Sequence, residues 1–312
     1  MPAAIHDSAS ATTRPGINPW ALAGLFALAL LCAGVDAAHA AAAEANAAES
    51  LRAKYEALQE RLSHNSFNKP LFLDSSETPG SVQGDMYALV KYPFATVGAA
   101  LSSADNWCDI LLLHLNTKYC RASKGGQGSV LNVSIGRKYD QPVEEAYRVV
   151  FVYRVAAQAQ NYLQARLNAD KGPLSTRNYR IVLEAIPLEN GRTFIHLSYS
   201  YAFGLVGRMA MKVYLGTTGK DKVGFSVAGT QPGGAPLYVR GMRGVVERNT
   251  MRYYLAIEAF LGALSEPAPA QLEKRLHDWF AGIERYPRQL HELEQSEYLG
   301  MKRKEYQRHQ AE

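Results

Sequence analysis

The histidines of this 312-residue chain are the first side chains to test for metal or acid–base chemistry. Beyond residue 40 they are His64, His114, His196, His277, His291 and His309. No two of them stand four residues apart, and none belongs to an H-E-x-x-H motif, the spacing that sets two zinc ligands and a base on one helix face. A zincin-type site is therefore excluded at the level of motif, and we expect neither a metal nor a cofactor.

Residues 216–220 (GTTGK) match a phosphate-binding loop only in part. A P-loop needs a glycine at the place of Tyr214 and a serine or threonine at the place of Asp221. The chain also lacks a G-x-S-x-G nucleophile elbow and a G-x-G-x-x-G motif after a predicted strand. These absences favour a protein that is not an enzyme.

The charge balance and the hydropathy exclude further classes. The chain has 34 Lys and Arg residues and 29 Asp and Glu residues, a mixture too even to argue for a nucleic-acid partner. The mean hydropathy of -0.20 excludes a protein with many membrane spans. The composition is that of an ordinary globular domain.

Residues 1–40 differ from the rest of the chain. The run from Trp20 to Val35 carries no charge, Arg14 precedes it and Ala38-His39-Ala40 follows it. That order is typical of a secretory signal peptide cleaved after Ala40, and the run is shorter than the roughly 20 residues of a spanning helix. We therefore expect export, to the periplasm or outside the cell; an N-terminal membrane anchor is the alternative.

Cys108 and Cys120 are the two cysteines that remain once this leader is set aside. In an oxidising compartment such a pair predicts a disulfide that closes a loop of about a dozen residues. Two separate buried thiols are the alternative. Neither cysteine has a Cys or His partner at zinc-ligand spacing.

Three segments follow the leader. Residues 41–69 are predicted to be a helical or linker segment, an exposed helix or spacer with leucines at helical spacing. Residues 70–264 carry the fold, and residues 265–312 form an extension of two helices broken at Pro287. The second of these helices ends in a basic run, Lys302-Arg303-Lys304.

The central segment shows alternating strand patterns separated by turn residues. The predicted strands lie near residues 82–91, 114–121, 129–137, 147–157, 160–168, 179–187 and 192–203. Two short helices fill the gap between the first two strands, with Pro93 at the start of one. After an insertion at 204–236, a long amphipathic helix runs from about Tyr238 to Leu264.

This order resembles the helix-grip fold of the START-like (SRPBCC) superfamily over residues 80–264. The segments GDMYALV (84–90) and YPFATV (92–97) are similar to that family's first strand and helix. The resemblance implies an α+β fold in which a curved antiparallel seven-stranded sheet wraps a long C-terminal helix, here with extra C-terminal helices. It also implies a deep apolar cavity, used in the superfamily for lipids, sterols, polyketides or hormones and occasionally for catalysis.

Four polar side chains lie on elements that would border such a cavity. Tyr199 and Tyr201 share a strand face with apolar residues, so their rings would pack a ligand and their hydroxyls would orient it. Asn249 and Tyr253 fall on the inward stripe of the long helix, where a buried amide needs a hydrogen-bond partner. Core tyrosines with satisfied hydroxyls, and a neighbouring carbonyl as the partner of Asn249, are the alternatives.

The insertion begins with an apolar helix candidate, residues 203–215, in which Arg208 and Lys212 stand four apart. Beside a cavity mouth, such a helix would act as a lid or would dock on a membrane to take up an anionic lipid. An extra layer over one end of the sheet is the alternative.

Three functions fit these patterns. The first is an exported protein that binds a hydrophobic small molecule or lipid, with peripheral membrane contact as a further expectation and no nucleic-acid partner. The second is a cyclase- or hydrolase-type enzyme whose acid or base would be His196, Asp109 or Glu184. The third is a structural or interaction module with a filled core. An open cavity favours the first function, and titratable groups that converge in it favour the second.

Overall fold

The computed structural model describes residues 42–126, 128–205, 207–209 and 221–311. The predicted signal peptide and Lys212 lie outside these ranges. Residues 47–312 form one compact unit.

An eight-stranded antiparallel sheet is the centre of that unit, as expected for an α+β helix-grip fold. Its strands are β1 (Leu71–Thr78), β2 (Ser81–Val90), β3 (Thr117–Gly125), β4 (Gly128–Ile135), β5 (Tyr147–Ala159), β6 (Tyr162–Lys171), β7 (Thr176–Pro187) and β8 (Thr193–Phe203). The spatial order is β1-β2-β8-β7-β6-β5-β4-β3, so β8 returns to pair with β2 while the other neighbours follow the chain.

All seven predicted strands are present, but the expected number of strands is wrong, because β1 precedes them. Its residues Leu71, Leu73 and Ser75 are buried on one face in strict alternation. The Pro79-Gly80 turn joins β1 to β2, with Thr78 opposite Ser81. Alternation followed by a Pro-Gly dipeptide is a hairpin signal that was available in the sequence.

Seven helices have their bounds within the described part of the chain and surround the sheet, together with short 3-10 turns; residues 205 and 207–209 are helical as well. The seven helices are α1 (residues 42–63), α2 (Phe94–Leu101), α3 (Ala104–Leu113), α4 (Gly241–Gly262), α5 (Ala268–Glu284), α6 (Pro287–Leu290) and α7 (Gln295–Ala311). The 204–236 insertion adds a two-stranded ribbon, β9 (Val227–Thr230) with β10 (Pro236–Tyr238). None of these helices is long and apolar enough to cross a membrane.

The long helix α4 packs on the inner face of the sheet. Successive inward residues of β8 are buried there, from Ile195 through Leu197 to Phe203. At Gly84 of β2 an added Cβ would lie 2.4 Å from the Thr250 hydroxyl, so only glycine allows this close approach of helix and strand. The helix and the inner sheet face therefore enclose the core.

The outer face of the sheet is covered by α1, which corrects the expectation of an exposed helix or spacer. Leu51, Leu58 and Leu62 are buried in a second apolar cluster with Tyr162 and Phe194. These leucines stand on one face of the helix, and burying each stabilises the fold by about 2 kcal/mol.

The C-terminal extension contains three helices rather than two, because Pro287 begins the single turn α6. The Trp279 indole of α5 donates to the Arg252 carbonyl oxygen of α4 at 3.1 Å. The Tyr298 hydroxyl of α7 donates to the Leu113 carbonyl oxygen at the end of α3 at 3.0 Å. The extension thus packs directly against the helices of the central domain.

Candidate functional site

A cavity of about 470 Å³ lies between the inner face of the sheet and α4. Its walls come from β5, β7, β8, α4 and the loops that follow α3, β4 and β6. The lining residues are His114, Asn116, Thr117, Ile135, Gly136, Arg137, Gln141, Glu145, Tyr147, Phe151, Pro173, Leu174, Thr176, Tyr179, Tyr199, Tyr201, Gly207, Val245, Asn249 and Tyr253. A cavity of this size fits a small organic molecule.

The four residues predicted to border a cavity all line this one. Tyr199 and Tyr201 are two apart on β8, so both face the same side of the sheet. Asn249 and Tyr253 are four apart on α4, so they lie one helical turn from each other. The alternation of residues along β8 and the helical period of α4 therefore place all four side chains at the same cavity.

Tyrosine rings form one wall of the cavity. The ring centroid of Tyr179 lies 5.2 Å from that of Tyr201, and the centroid of Tyr199 lies 5.2 Å from that of Tyr253. Phe151 contacts Tyr179 edge to face at 6.5 Å. This wall offers apolar ring faces with hydroxyls at their edges, which suits a ligand with an apolar body and polar substituents.

The tyrosine hydroxyls are protonated near neutral pH. Burial, followed by the effect of neighbouring tyrosines, raises the pKa of Tyr199 well above its usual value, and burial also raises the pKa of Tyr253. Tyr179 shares a 2.7 Å hydrogen bond with the Thr176 hydroxyl. In the described part of the chain the hydroxyls of Tyr199, Tyr201 and Tyr253 make no such bond. These three hydroxyls are therefore available to a bound molecule.

His114 is one of the lining residues that the sequence patterns did not predict. It follows α3 directly and is 4% exposed, with its ring stacked on Tyr253 at a centroid distance of 5.0 Å. Its Nδ1 accepts a hydrogen bond from the Asn116 backbone N–H at 3.2 Å. A single histidine at the end of a helix belongs to no motif, so no sequence pattern indicated that His114 would line the cavity.

His114 is neutral in the folded protein. Burial lowers its pKa well below the usual value, and the positive charges of Arg252, Lys302 and Lys138 lower it further. Because Nδ1 accepts a hydrogen bond, the proton of the neutral ring is on Nε2. The ring is thus a hydrogen-bond donor at neutral pH.

The loop that carries His114 is held from two sides. Cys108 on α3 and Cys120 on β3 are joined in a disulfide, and His114 lies inside the segment that this bond closes. On the other side, the buried Lys302 ammonium of α7 donates to the carbonyl oxygens of His114 at 2.7 Å and Thr117 at 2.9 Å. Burial lowers the pKa of Lys302 to about 8.

Exposed apolar residues lie on or next to two segments that line the cavity, at Leu174 and at Gly207. Leu174 lines it and is 63% exposed, and Leu205 and Met209 follow β8 at 72% and 61% exposure. Arg208 stands among them, but its guanidinium donates to the Pro79 carbonyl oxygen and lies 5.9 Å over the Phe203 ring. The predicted mouth cation Arg208 thus follows the lining residue Gly207 but does not itself line the cavity.

The three residues considered as acids or bases do not line the cavity. His196 and Glu184 lie on the outer sheet face, where His196 bonds both Glu184 and Asp85. Asp109 forms a 2.7 Å ion pair with Arg275 of α5. The prediction that one of these three residues acts as an acid or base in the cavity is therefore wrong. In the described ranges no group of three His, Cys, Asp or Glu side chains could hold a metal ion.

The strand order, the position of α4 and the cavity define a helix-grip fold with an internal cavity. No protein-family model and no curated protein matches the chain.

Solved structures with a similar fold share little sequence with it. They include norcoclaurine synthase from Thalictrum flavum (13% identity over 47% of this chain and 78% of that chain, TM-score 0.31), human StAR-related lipid transfer protein 5 (11%, 56% and 90%, 0.31) and Ara h 8.0201 (13%, 48% and 91%, 0.29). Likenesses this distant indicate neither a ligand nor an activity.

Proposed function

We propose that the protein is an exported carrier that binds a hydrophobic small molecule or lipid in the cavity between the sheet and α4. The observation that carries this proposal is the open, tyrosine-walled space of about 470 Å³. A module with a filled core would lack such a space, and the enzyme alternative has lost its three named acids and bases. The hydroxyls of Tyr199, Tyr201 and Tyr253 and the apolar ring faces supply both parts of a binding surface for an amphipathic molecule.

A blocked cavity tests this function. Val245 lines the cavity from α4, and Val245→Trp would place an indole in the space that a ligand needs. We expect the wild-type protein to bind the uncharged fluorophore N-phenyl-1-naphthylamine, and the variant to lose at least about tenfold in affinity, since the pocket contacts are lost.

Val150→Trp is the matched control, because Val150 is 53% exposed on β5 and does not line the cavity. Native mass spectrometry of the purified protein should also detect a co-purifying small molecule in the wild type and not in Val245→Trp. Equal fluorophore binding by both tryptophan variants, with no co-purifying molecule, would exclude the carrier function.

The proposed export rests on the leader and is compatible with the disulfide, which persists in oxidising compartments. Cleavage after Ala40 would remove Cys32, leaving Cys108 and Cys120 as the two cysteines of the mature protein. We expect N-terminal sequencing of the protein from an exporting host to begin at Ala41. We also expect denatured, non-reduced mature protein to take up no thiol reagent, whereas the precursor takes up one equivalent. A membrane-bound product with an intact N-terminus would favour the anchor instead.

A further inference from the structure

The polar groups in the buried wall of the cavity are unequally satisfied. The Asn116 amide donates to the Gly136 carbonyl oxygen at 2.6 Å, and the Gln141 amide oxygen accepts from the Arg137 backbone N–H at 2.7 Å. His114 differs from both, because its buried Nε2 has no partner in hydrogen-bonding geometry in the described part of the chain. An unpaired polar atom of this kind costs about 1–3 kcal/mol unless something else satisfies it.

Asn249 is the polar neighbour of His114 in the cavity wall, and its side chain raises the pKa of the ring without reaching hydrogen-bonding geometry at Nε2. The Asn249 oxygen accepts a long hydrogen bond, 3.4 Å, from the Arg252 guanidinium. Both His114 and Asn249 line the cavity, so an acceptor on a bound molecule would complete the hydrogen bonding of the His114 Nε2–H.

The charged groups that act most strongly on the ring are three cations, Arg252, Lys302 and Lys138. Each of them is paired with a carboxylate: Glu292 lies 2.8 Å from Arg252 and 2.6 Å from Lys138, and Glu305 lies 2.7 Å from Lys302. What favours an ionised acceptor is therefore the unpaired donor itself, since a hydrogen bond to a charged acceptor is roughly twice as strong as one to a neutral acceptor.

We propose that the cavity selects amphipathic molecules with an anionic head group, a carboxylate, which accepts a hydrogen bond from His114 Nε2 while the apolar body lies along the tyrosine wall. This inference rests on the proposed function, since it names the class of molecule that the cavity carries. It adds a head-group site, with His114 as its donor and Asn249 beside it.

Competition between two probes of the same length tests the proposal. Dodecanoate and methyl dodecanoate share one apolar chain, and only the first carries a charge. Each is titrated at pH 7.5 against N-phenyl-1-naphthylamine bound to the full protein. We expect dodecanoate to displace the fluorophore at a concentration at least about tenfold lower than the ester, the advantage of a charge-assisted hydrogen bond.

His114→Phe keeps the ring that stacks on Tyr253 and removes the donor, so we expect the preference for dodecanoate to fall to about twofold or less. His277→Phe, at an exposed histidine of α5, is the matched control and should keep the full preference. If His114→Phe does not fold, the ring nitrogens of wild-type His114 provide the same test by NMR. Dodecanoate should shift the Nε2–H resonance and leave Nδ1 unprotonated.

The outcomes separate this inference from the proposed function. Failure of the fluorophore to bind, or binding that Val245→Trp does not reduce, would overturn both. Fluorophore binding that is blocked by Val245→Trp, with equal displacement by acid and ester, would overturn the head-group site alone. An unchanged preference in a folded His114→Phe, or an unmoved Nε2–H resonance, would do the same.

Discussion

His196 lies on the outer face of the sheet, where it forms two largely buried ion pairs. Its Nδ1 lies 2.8 Å from Glu184 and its Nε2 lies 2.9 Å from Asp85, while the ring stacks on Tyr87 at 4.3 Å. Burial alone would lower the pKa of His196, but the hydrogen bonds and charges of the two carboxylates raise it above its usual value. Its side chain is 15% exposed, so both ion pairs are largely shielded from water.

The direction of the His196 pKa shift predicts how the free energy of unfolding depends on pH. Because the folded pKa of His196 is raised, its contribution is complete below the unfolded value near 6.5 and disappears as pH rises through the folded pKa. His196→Gln should therefore lower the free energy of unfolding by about 2 kcal/mol at pH 6 and by less at pH 9.

Urea unfolding at the two pH values measures this difference, with the exposed His277→Gln as a control that changes little at either pH. A loss for His196→Gln that is the same at pH 6 and pH 9 would mean that the imidazolium is not what the two carboxylates stabilise.

At the scale of the element, α7 is attached to the domain by a buried three-charge cluster. The Glu305 carboxylate is 3.0 Å from the Lys118 ammonium of β3 and 2.7 Å from the Lys302 ammonium of its own helix. All three side chains are buried. Two ammonium groups share one carboxylate here, so the anchoring of α7 depends on Glu305.

Removal of that carboxylate should be costly. Glu305→Gln would leave both buried ammonium groups without a counter-charge, and we expect the free energy of unfolding to fall by about 3–5 kcal/mol. Glu294→Gln is the control, because the Glu294 side chain is 79% exposed and its pairing with His291 is weak. Denaturant unfolding of both variants measures the difference, and equal losses would contradict a structural role for the cluster.

At the scale of the whole molecule, periodicity predicted the fold and the position of four residues that line the cavity. Alternation on β8 and helical spacing on α4 placed four lining residues correctly, because those patterns report which face of an element is buried. Pairing between distant residues leaves no such pattern. Lys302 belonged to what was predicted as a basic run, yet it is buried beside Lys118, 184 positions away in the chain, while Arg303 and Lys304 pair with acids at the surface.

Glu247 shows the same limit within one helix. It is fully buried, with its carboxylate accepting from the Ser75 hydroxyl at 2.5 Å and the Phe225 backbone N–H at 2.6 Å. β1 and the 204–236 insertion supply these partners. Periodicity along α4 therefore could not reveal what satisfies Glu247.

The closed segment between Cys108 and Cys120 affects when the cavity wall at His114 becomes ordered. When a loop must become ordered around a ligand, binding is weaker, because the loss of side-chain conformational entropy makes the free energy of binding less favourable. Here the bridge and the Lys302 contact order the His114 segment during folding, before any ligand arrives. The proposed ligand would thus bind to a cavity wall that is already rigid. The formation of the disulfide during folding, and not the binding of the ligand, would supply that rigidity.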